Sequence, residues 1–333
     1  MATTVNVWGI PHVYELTSPA SSAPVVVFIH GWLLSRAYWR PVIQQLQSQY
    51  CCLSYDLRGF GESTGTQPHP SVRPVSTEGD RLQPQSVSQA NFVATGPSGI
   101  SSLTTAPPPP TSPLPFGYTP ADYANDLTQL IKTLGLTNVW LVGHSLGGSI
   151  ALWAADLMPQ AVRGVICVNA GGGIYLKEEF ERFRMAGQQL VKLRPWWLCH
   201  LPFVDVMMAC MNVARPVPRA WGRQRVLDWT LAEPEAALRA LLDSTTADEV
   251  HRLPQVVSRL QQPVYFLAGD RDTVMEPQYV RHLASFHHSF ACRGENVVEI
   301  ANCGHLAMLE QPEAVARQIL QWVGQHTTPP QMA

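Results

Sequence analysis

A doubly wound, mostly parallel α/β sheet with a helical cap inserted between two of its strands is the fold class predicted by this sequence of 333 residues. Three observations predict it. Short, continuous apolar runs alternate with segments of helical spacing, the rhythm of a parallel sheet covered on both faces. Several of these runs end in turns bearing glycine or aspartate, at the strand ends where open α/β sheets place their ligands. Residues 172–262 then break the rhythm with helical patterning rich in Trp and Met, after which it resumes.

The first strand read is Val25-Val26-Val27-Phe28-Ile29, apolar throughout and followed by His30-Gly31-Trp32-Leu33. Trp39 to Leu46 reads as a helix, with Val42, Ile43 and Leu46 as its apolar positions. Cys51–Tyr55 is the next strand and ends in DLRGFGES, Asp56 to Ser63. The stretch ADYANDLTQLIKTLGL repeats Tyr123, Leu127, Leu130, Ile131 and Leu134 at helical spacing and stops at Gly135, a natural C-cap. Val139–Val142 is a buried strand, and Ile150–Ala155 a helix-forming run. Val165–Val168, Val264–Ala268 and Val297–Ile300 complete the strands, and a helix from Pro312 to about Gly324 closes the fold.

Between these elements, 64–115 holds eleven of the 28 prolines, four of them consecutive at 107–110, and Phe92 is its only aromatic residue. Such a segment cannot bury enough apolar surface to offset its ordering entropy and reads as a disordered Pro/Ser-rich insertion. The proline tract within 107–115 suits polyproline II and a proline-binding domain as partner. The expected organisation is a core built from 1–63 and 116–171, the insertion, a helical cap over 172–262, and the rest of the core over 263–325.

A net charge of −2 provides no electrostatic case for nucleic acid. The N-terminus lacks a basic start followed by an apolar run, and no stretch of about eighteen apolar residues exists to form a transmembrane segment. Seven cysteines, with Cys51 and Cys52 adjacent, argue against a disulfide framework. A cytoplasmic protein is expected, and no cofactor-binding or metal-ligand pattern is read.

The chemistry centres on Gly143-His144-Ser145-Leu146-Gly147. A G-x-S-x-G match alone would arise by chance in about one chain in ten of this length. Its context is more specific: a strand precedes it and a helix follows, so a sharp turn presents Ser145 as a nucleophile. A serine hydroxyl needs a base. His305 follows the strand 297–300 through Ala301-Asn302-Cys303-Gly304, again at a strand's C-terminal end. His144 is read as pointing elsewhere on the turn, and His287-His288 as part of an unpatterned surface segment. The base in turn needs an acid to fix its tautomer, and LAGDRDTVMEP supplies both Asp270 and Asp272 after the strand 264–268. Spacing does not choose between them, since either could be a turn residue.

Together these motifs resemble a capped member of the α/β-hydrolase superfamily over roughly 24–63, 118–170 and 262–325. HGW at 30–32, DLRGFGES at 56–63, GHSLGG at 143–148, GDRD at 269–272 and GHLAMLEQPE at 304–313 stand in that family's order. The resemblance favours Asp272 as the acid. It implies that the backbone amides of Trp32 and Leu146 form an oxyanion hole, and that His30, Asp56 and Arg58 are scaffold. One departure is that relatives commonly carry proline four residues after the acid, where this chain has Glu276 and then Pro277.

The implied function is a serine hydrolase cleaving a carboxylic or thio-ester through an acyl-enzyme. The apolar cap points to a small-molecule substrate with a hydrophobic acyl or aromatic group. Carbon–carbon bond hydrolysis or perhydrolysis with the same triad, and a non-catalytic ligand receptor on the same fold, are the alternatives. Epoxide hydrolase and dehalogenase chemistry is disfavoured, because those relatives carry Asp at the position of Ser145.

Replacing 64–115 by a short Gly/Ser link is expected to leave the melting temperature nearly unchanged, since doubling a loop's length costs only about 0.6 kcal/mol. A thermal melt of the shortened chain checks this, and a large fall would mean the segment packs.

Overall fold

The computed structural model describes residues 2–17, 24–64, 117–172, 177–195, 197–198, 201, 203–291 and 294–327. Apart from Thr64, the insertion expected at 64–115, with its proline tract, lies outside the described residues, and so does Trp196 of the expected cap.

Eight strands form one sheet in the order β1-β2-β4-β3-β5-β6-β7-β8. The strands are β1 (Ala2–Val7), β2 (Ile10–Leu16), β3 (Val25–Ile29), β4 (Cys51–Tyr55), β5 (Val139–His144), β6 (Val162–Val168), β7 (Val264–Gly269) and β8 (Val297–Ile300). From β4 to β8 every pairing is parallel, as the continuous apolar runs require. The sequence reading missed β1 and β2, an antiparallel hairpin paired to the sheet through β2 and β4. Its turn uses Trp8 at φ +56° and Gly9 at φ +87°, which suits a tight two-residue hairpin connection.

The helices α1 (Arg40–Leu46), α2 (Pro120–Thr133), α3 (Leu146–Leu157), α9 (Pro277–Ala284), α10 (Ala307–Glu310) and α11 (Pro312–Thr327) belong to this core. Two apolar clusters cover opposite faces of the sheet. One takes in Leu127 and Ile131 of α2 and Ile150 of α3; the other takes in Val42 of α1 and Ile319 of α11. Thr119 accepts the Asp122 amide (3.1 Å), and Asp122 accepts from the Thr119 amide (3.0 Å), a reciprocal box that starts α2.

Among the described residues, five α-helices lie between β6 and β7: α4 (Lys177–Lys192), α5 (Val204–Cys210), α6 (Arg219–Leu231), α7 (Pro234–Ser244) and α8 (Ala247–Arg259). They are tied to the core by polar contacts, one part-buried and one buried. The indole of Trp32 donates to the Ala237 carbonyl of α7 (2.7 Å), and the Ser35 hydroxyl donates to Asp228 of α6 (3.1 Å). Among the described residues, no helix is long and apolar enough to cross a membrane.

Asp228 is 4% exposed, and burial, reinforced by the nearby Asp56, pushes its pKa up to about 7. An aspartate raised in this way holds a proton in the folded state that the unfolded chain gives up near pH 4. Its contribution to stability is therefore complete below about pH 4 and is lost as pH rises through about 7. Asp228→Asn, which cannot ionise, is expected to flatten that decline. Chemical denaturation at pH 5 and pH 8 checks it: the variant should gain stability relative to wild type at the higher pH.

Candidate active site

Ser145 stands between β5 and α3 with φ +52° and ψ −119°. A residue with a side chain occupies that region only where its surroundings impose it. Here the surroundings are the close approach of α3 to the strands. A Cβ on Gly143 would lie 2.1 Å from the Gly147 carbonyl oxygen, and one on Gly147 would lie 2.4 Å from that of Ile29. The Ser145 amide donates to the Val168 carbonyl (3.0 Å), and its own carbonyl accepts from Gly148 (2.9 Å). The turn is pinned on both sides.

His305 follows β8, and its amide donates to the Asn212 carbonyl (2.9 Å). Its Nδ1 donates to Asp272 Oδ2 at 2.7 Å. Because Nδ1 keeps its proton and donates it to the carboxylate in a hydrogen bond, Nε2 is left as the ring's acceptor. Asp272 is 3% exposed and its oxygens are fully engaged. Oδ1 accepts from the Val274 and Met275 amides (2.8 and 2.9 Å), and Oδ2 also accepts from Asn169 Nδ2 (2.9 Å). Burial raises the Asp272 pKa, but His305 and the amides of Met275 and Val274 more than offset this and hold it below the usual carboxylate range. Asp270 does not meet His305. It is exposed and accepts from the Cys303 amide (3.1 Å), as a turn residue does. The displaced proline does not disturb this loop: Pro277 is the first residue of α9, where a missing N–H costs nothing.

Ser145, His305, Trp32 and Leu146 all line one cavity of about 200 Å³. Leu146 is the first residue of α3, where helix geometry leaves the amide without an internal acceptor. Among the described residues, neither the Trp32 nor the Leu146 amide donates a backbone hydrogen bond. Of the cap residues expected over the site, Met208, Met211 and Trp229 line the cavity. Trp197, Phe203 and Met207 are instead exposed, and Trp221 packs on Tyr38 (ring centroids 5.5 Å apart).

The remaining candidates hold the loops. His30 donates from Nδ1 to the Gly31 carbonyl (2.7 Å) and accepts the Leu57 amide at Nε2 (2.9 Å). Asp56 accepts from the Arg36 amide (2.6 Å), the Arg36 guanidinium and the Glu62 amide (2.9 Å). Arg58 donates to Asp126 (2.9 Å) and the Gly117 carbonyl (2.9 Å). His287 is not a surface residue, contrary to the sequence reading. It is buried, donates from Nε2 to the Gln262 carbonyl (3.1 Å) and accepts the Ser289 amide at Nδ1 (3.2 Å), capping a short turn.

Two residues of the site were missed in the sequence: His144 was read as pointing elsewhere on the turn, and Asn169 was not singled out. His144 donates from Nε2 to the His305 carbonyl (2.7 Å), with ring centroids 4.8 Å apart, and burial beside His305 pushes its pKa down to about 3. It stays neutral and positions His305. Asn169, at φ +50° just past β6, ties Asp272 to the Gly304 carbonyl (3.1 Å). A polar residue ending a buried strand was the available signal for Asn169. No local pattern joins His144 to His305.

The model of the alpha/beta hydrolase fold family matches residues 24–312. A protein of Enterobacter cloacae provisionally described as the carbamate hydrolase RutD is 28% identical over 151 residues, 45% of this chain and 39% of that one. The chain thus spans well under two thirds of that relative's length. The 2-succinyl-6-hydroxy-2,4-cyclohexadiene-1-carboxylate synthase of Yersinia pseudotuberculosis is 25% identical over 325 residues, 93% of this chain and 90% of the relative. Among solved structures, a thermophilic esterase from Thermogutta terrifontis superposes with a TM-score of 0.65 at 21% identity, covering 98% of this chain and all of that one.

If Asp272 fixes the His305 tautomer, Asp272→Asn should lower kcat by about four orders of magnitude, while Asp270→Asn stays within a few-fold of wild type. Steady-state rates of the two variants on one ester check this. The opposite ranking would move the acid to Asp270.

Proposed function

This chain belongs to the α/β-hydrolase fold family, and on that premise we propose that it is a serine hydrolase of carboxylic or thio-esters with Ser145, Asp272 and His305 as its triad. The observation that carries this reading is a serine held at φ +52° in the same cavity as a histidine whose Nδ1 is anchored 2.7 Å from a buried aspartate.

Ser145 Oγ attacks the acyl carbonyl carbon, and His305 Nε2 takes its proton. The carbonyl oxygen gains negative charge and is met by the amides of Trp32 and Leu146. One such donor typically contributes about 3–4 kcal/mol of transition-state stabilisation. His305 then passes the proton to the leaving alcohol or thiol as the tetrahedral intermediate collapses to an acyl-serine. A water deprotonated by His305 attacks that ester, and Ser145 regains its proton. Asp272 keeps the imidazole oriented and stabilises its cation throughout.

The helices between β6 and β7 act in this reading as a cap that gives the acyl group an apolar wall. Leu34, Leu190, Met208, Met211, Trp229 and Leu241 supply it, beside polar groups that include Ser149, Asn212, Ser244 and Thr245.

Ser145→Ala is expected to keep the fold, measured by its melting temperature, while losing ester turnover and covalent labelling by a fluorophosphonate. Labelling that persisted at another serine would reject the assignment. Across p-nitrophenyl esters, kcat/KM should rise from acetyl to longer acyl chains until the cavity is filled. The ceiling is about fourfold per methylene, since each buried CH₂ contributes about 0.8 kcal/mol. A profile that peaks at acetyl would remove the apolar-acyl preference and leave the triad standing.

A further inference from the structure

Arg225 of α6 stands in the wall of the cavity that Ser145 and His305 line, and it is 8% exposed. Its Nη1 donates to the carbonyls of Met208 and Met211 (2.6 Å each) at the end of α5. Those two bonds fix the plane of the guanidinium and use one of its three nitrogens. Nε and Nη2 have no hydrogen-bond partner among the described residues, yet neither is sealed from solvent. Together they form the edge of the guanidinium that offers two parallel N–H groups to a carboxylate.

Among the described residues no carboxylate takes that place. Among the described residues Arg225 has no ion pair. Glu310, the acid whose charge acts on it, is committed to the amides of Ala214, Gly304 and Leu306. Asp228, one turn further along α6, bonds to Ser35 and Gln224 instead. Burial pulls the Arg225 pKa down, and Tyr38 and Glu310 oppose it only in part, so the charge is held against a net desolvation cost. As a mere staple between α5 and α6, an arginine would not need an unpaired fork in a residue that lines the same cavity as the nucleophile.

Resting on the ester-hydrolase reading, we propose that Arg225 binds a carboxylate carried by the substrate, so that the substrate class is an amphiphilic ester with an apolar body and an acidic group. The acid lies on the acyl or on the alcohol side of the scissile bond, and Arg225 selects for it by a bidentate charge-assisted contact.

The test compares acidic and neutral esters of matched length. On the acyl side these are mono-p-nitrophenyl esters of glutaric, adipic and suberic acids against p-nitrophenyl esters of the corresponding monoacids. On the alcohol side, fatty esters of 4-hydroxybenzoate are set against those of 4-methylphenol. For the wild type, kcat/KM for at least one acidic ester should exceed that of its neutral match by tenfold or more. Arg225→Gln should lower the acidic value about 10- to 100-fold, mainly through KM, as expected for a lost hydrogen bond to a charged group. The neutral value should change less than threefold, and Arg225→Lys should recover part of the acidic preference.

A wild type that prefers neutral esters in both series overturns the proposal. So does an Arg225→Gln variant that loses both activities alike, which would make Arg225 a staple only. If no ester is turned over, the ester reading fails separately. The carboxylate site is then read by whether adipate or suberate raises the melting temperature of the wild type and not of Arg225→Gln, and no such difference overturns it as well.

Discussion

The close approach of α3 to β3 and β5 is the constraint on which the rest of the site depends. With no side chain at Gly143 or Gly147, the helix begins almost in contact with the carbonyls of Ile29 and His30. Ser145, the one residue between strand and helix, is left with a backbone conformation that costs about 1–3 kcal/mol. The Val168 and Gly148 hydrogen bonds and the packing of Ile150 and Leu152 in the core hold it there. The same approach leaves the Leu146 amide uncommitted and brings His144 under the His305 carbonyl. A looser junction would release the serine, the first helical amide and the support of the histidine together.

Much of this was legible because it rests on local patterns. Apolar runs without alternation marked the parallel strands, and a serine among glycines at a strand-to-helix boundary marked the turn. Other features depend on partners distant in the chain. Spacing could not separate Asp270 from Asp272; burial does, since only Asp272 turns inward to meet His305, Asn169 and two loop amides. The hairpin of β1 and β2 was missed because its first strand is largely exposed and carries little apolar signal. His287 looked like surface because nothing in its neighbours in sequence reveals the Gln262 carbonyl across from it.

The inserted helices show where composition misleads. Large apolar residues between β6 and β7 suggested a uniformly lined pocket, yet Met208 and Met211 reach the cavity while Met207 points to solvent. Helical periodicity assigns a face to each residue only after the helix axis is placed, and that placement is decided by contacts with the core. Two such contacts are polar: Trp32 with Ala237, part-buried, and Ser35 with Asp228, buried. Both involve the short segment after β3 whose Trp32 lines the cavity.

That coincidence has a mechanical meaning. α6 carries Asp228 toward Ser35 and Arg225 toward the end of α5, so one helix braces the loop after β3 and also forms part of the cavity wall. An Arg and an Asp one turn apart on a helix ordinarily pair as opposite charges and gain a few tenths of a kcal/mol, but the burial that pushes the Asp228 pKa up to about 7 weakens its charge here. Here each serves a different neighbour at the cost of remaining buried without the other. The arrangement makes little sense as a device for stability, because a buried charge without a counter-charge destabilises the fold. It does make sense if α6 is a positioning element, fixing the proposed oxyanion donor relative to the cavity with Asp228 while Arg225 keeps an open edge for what the cavity takes in.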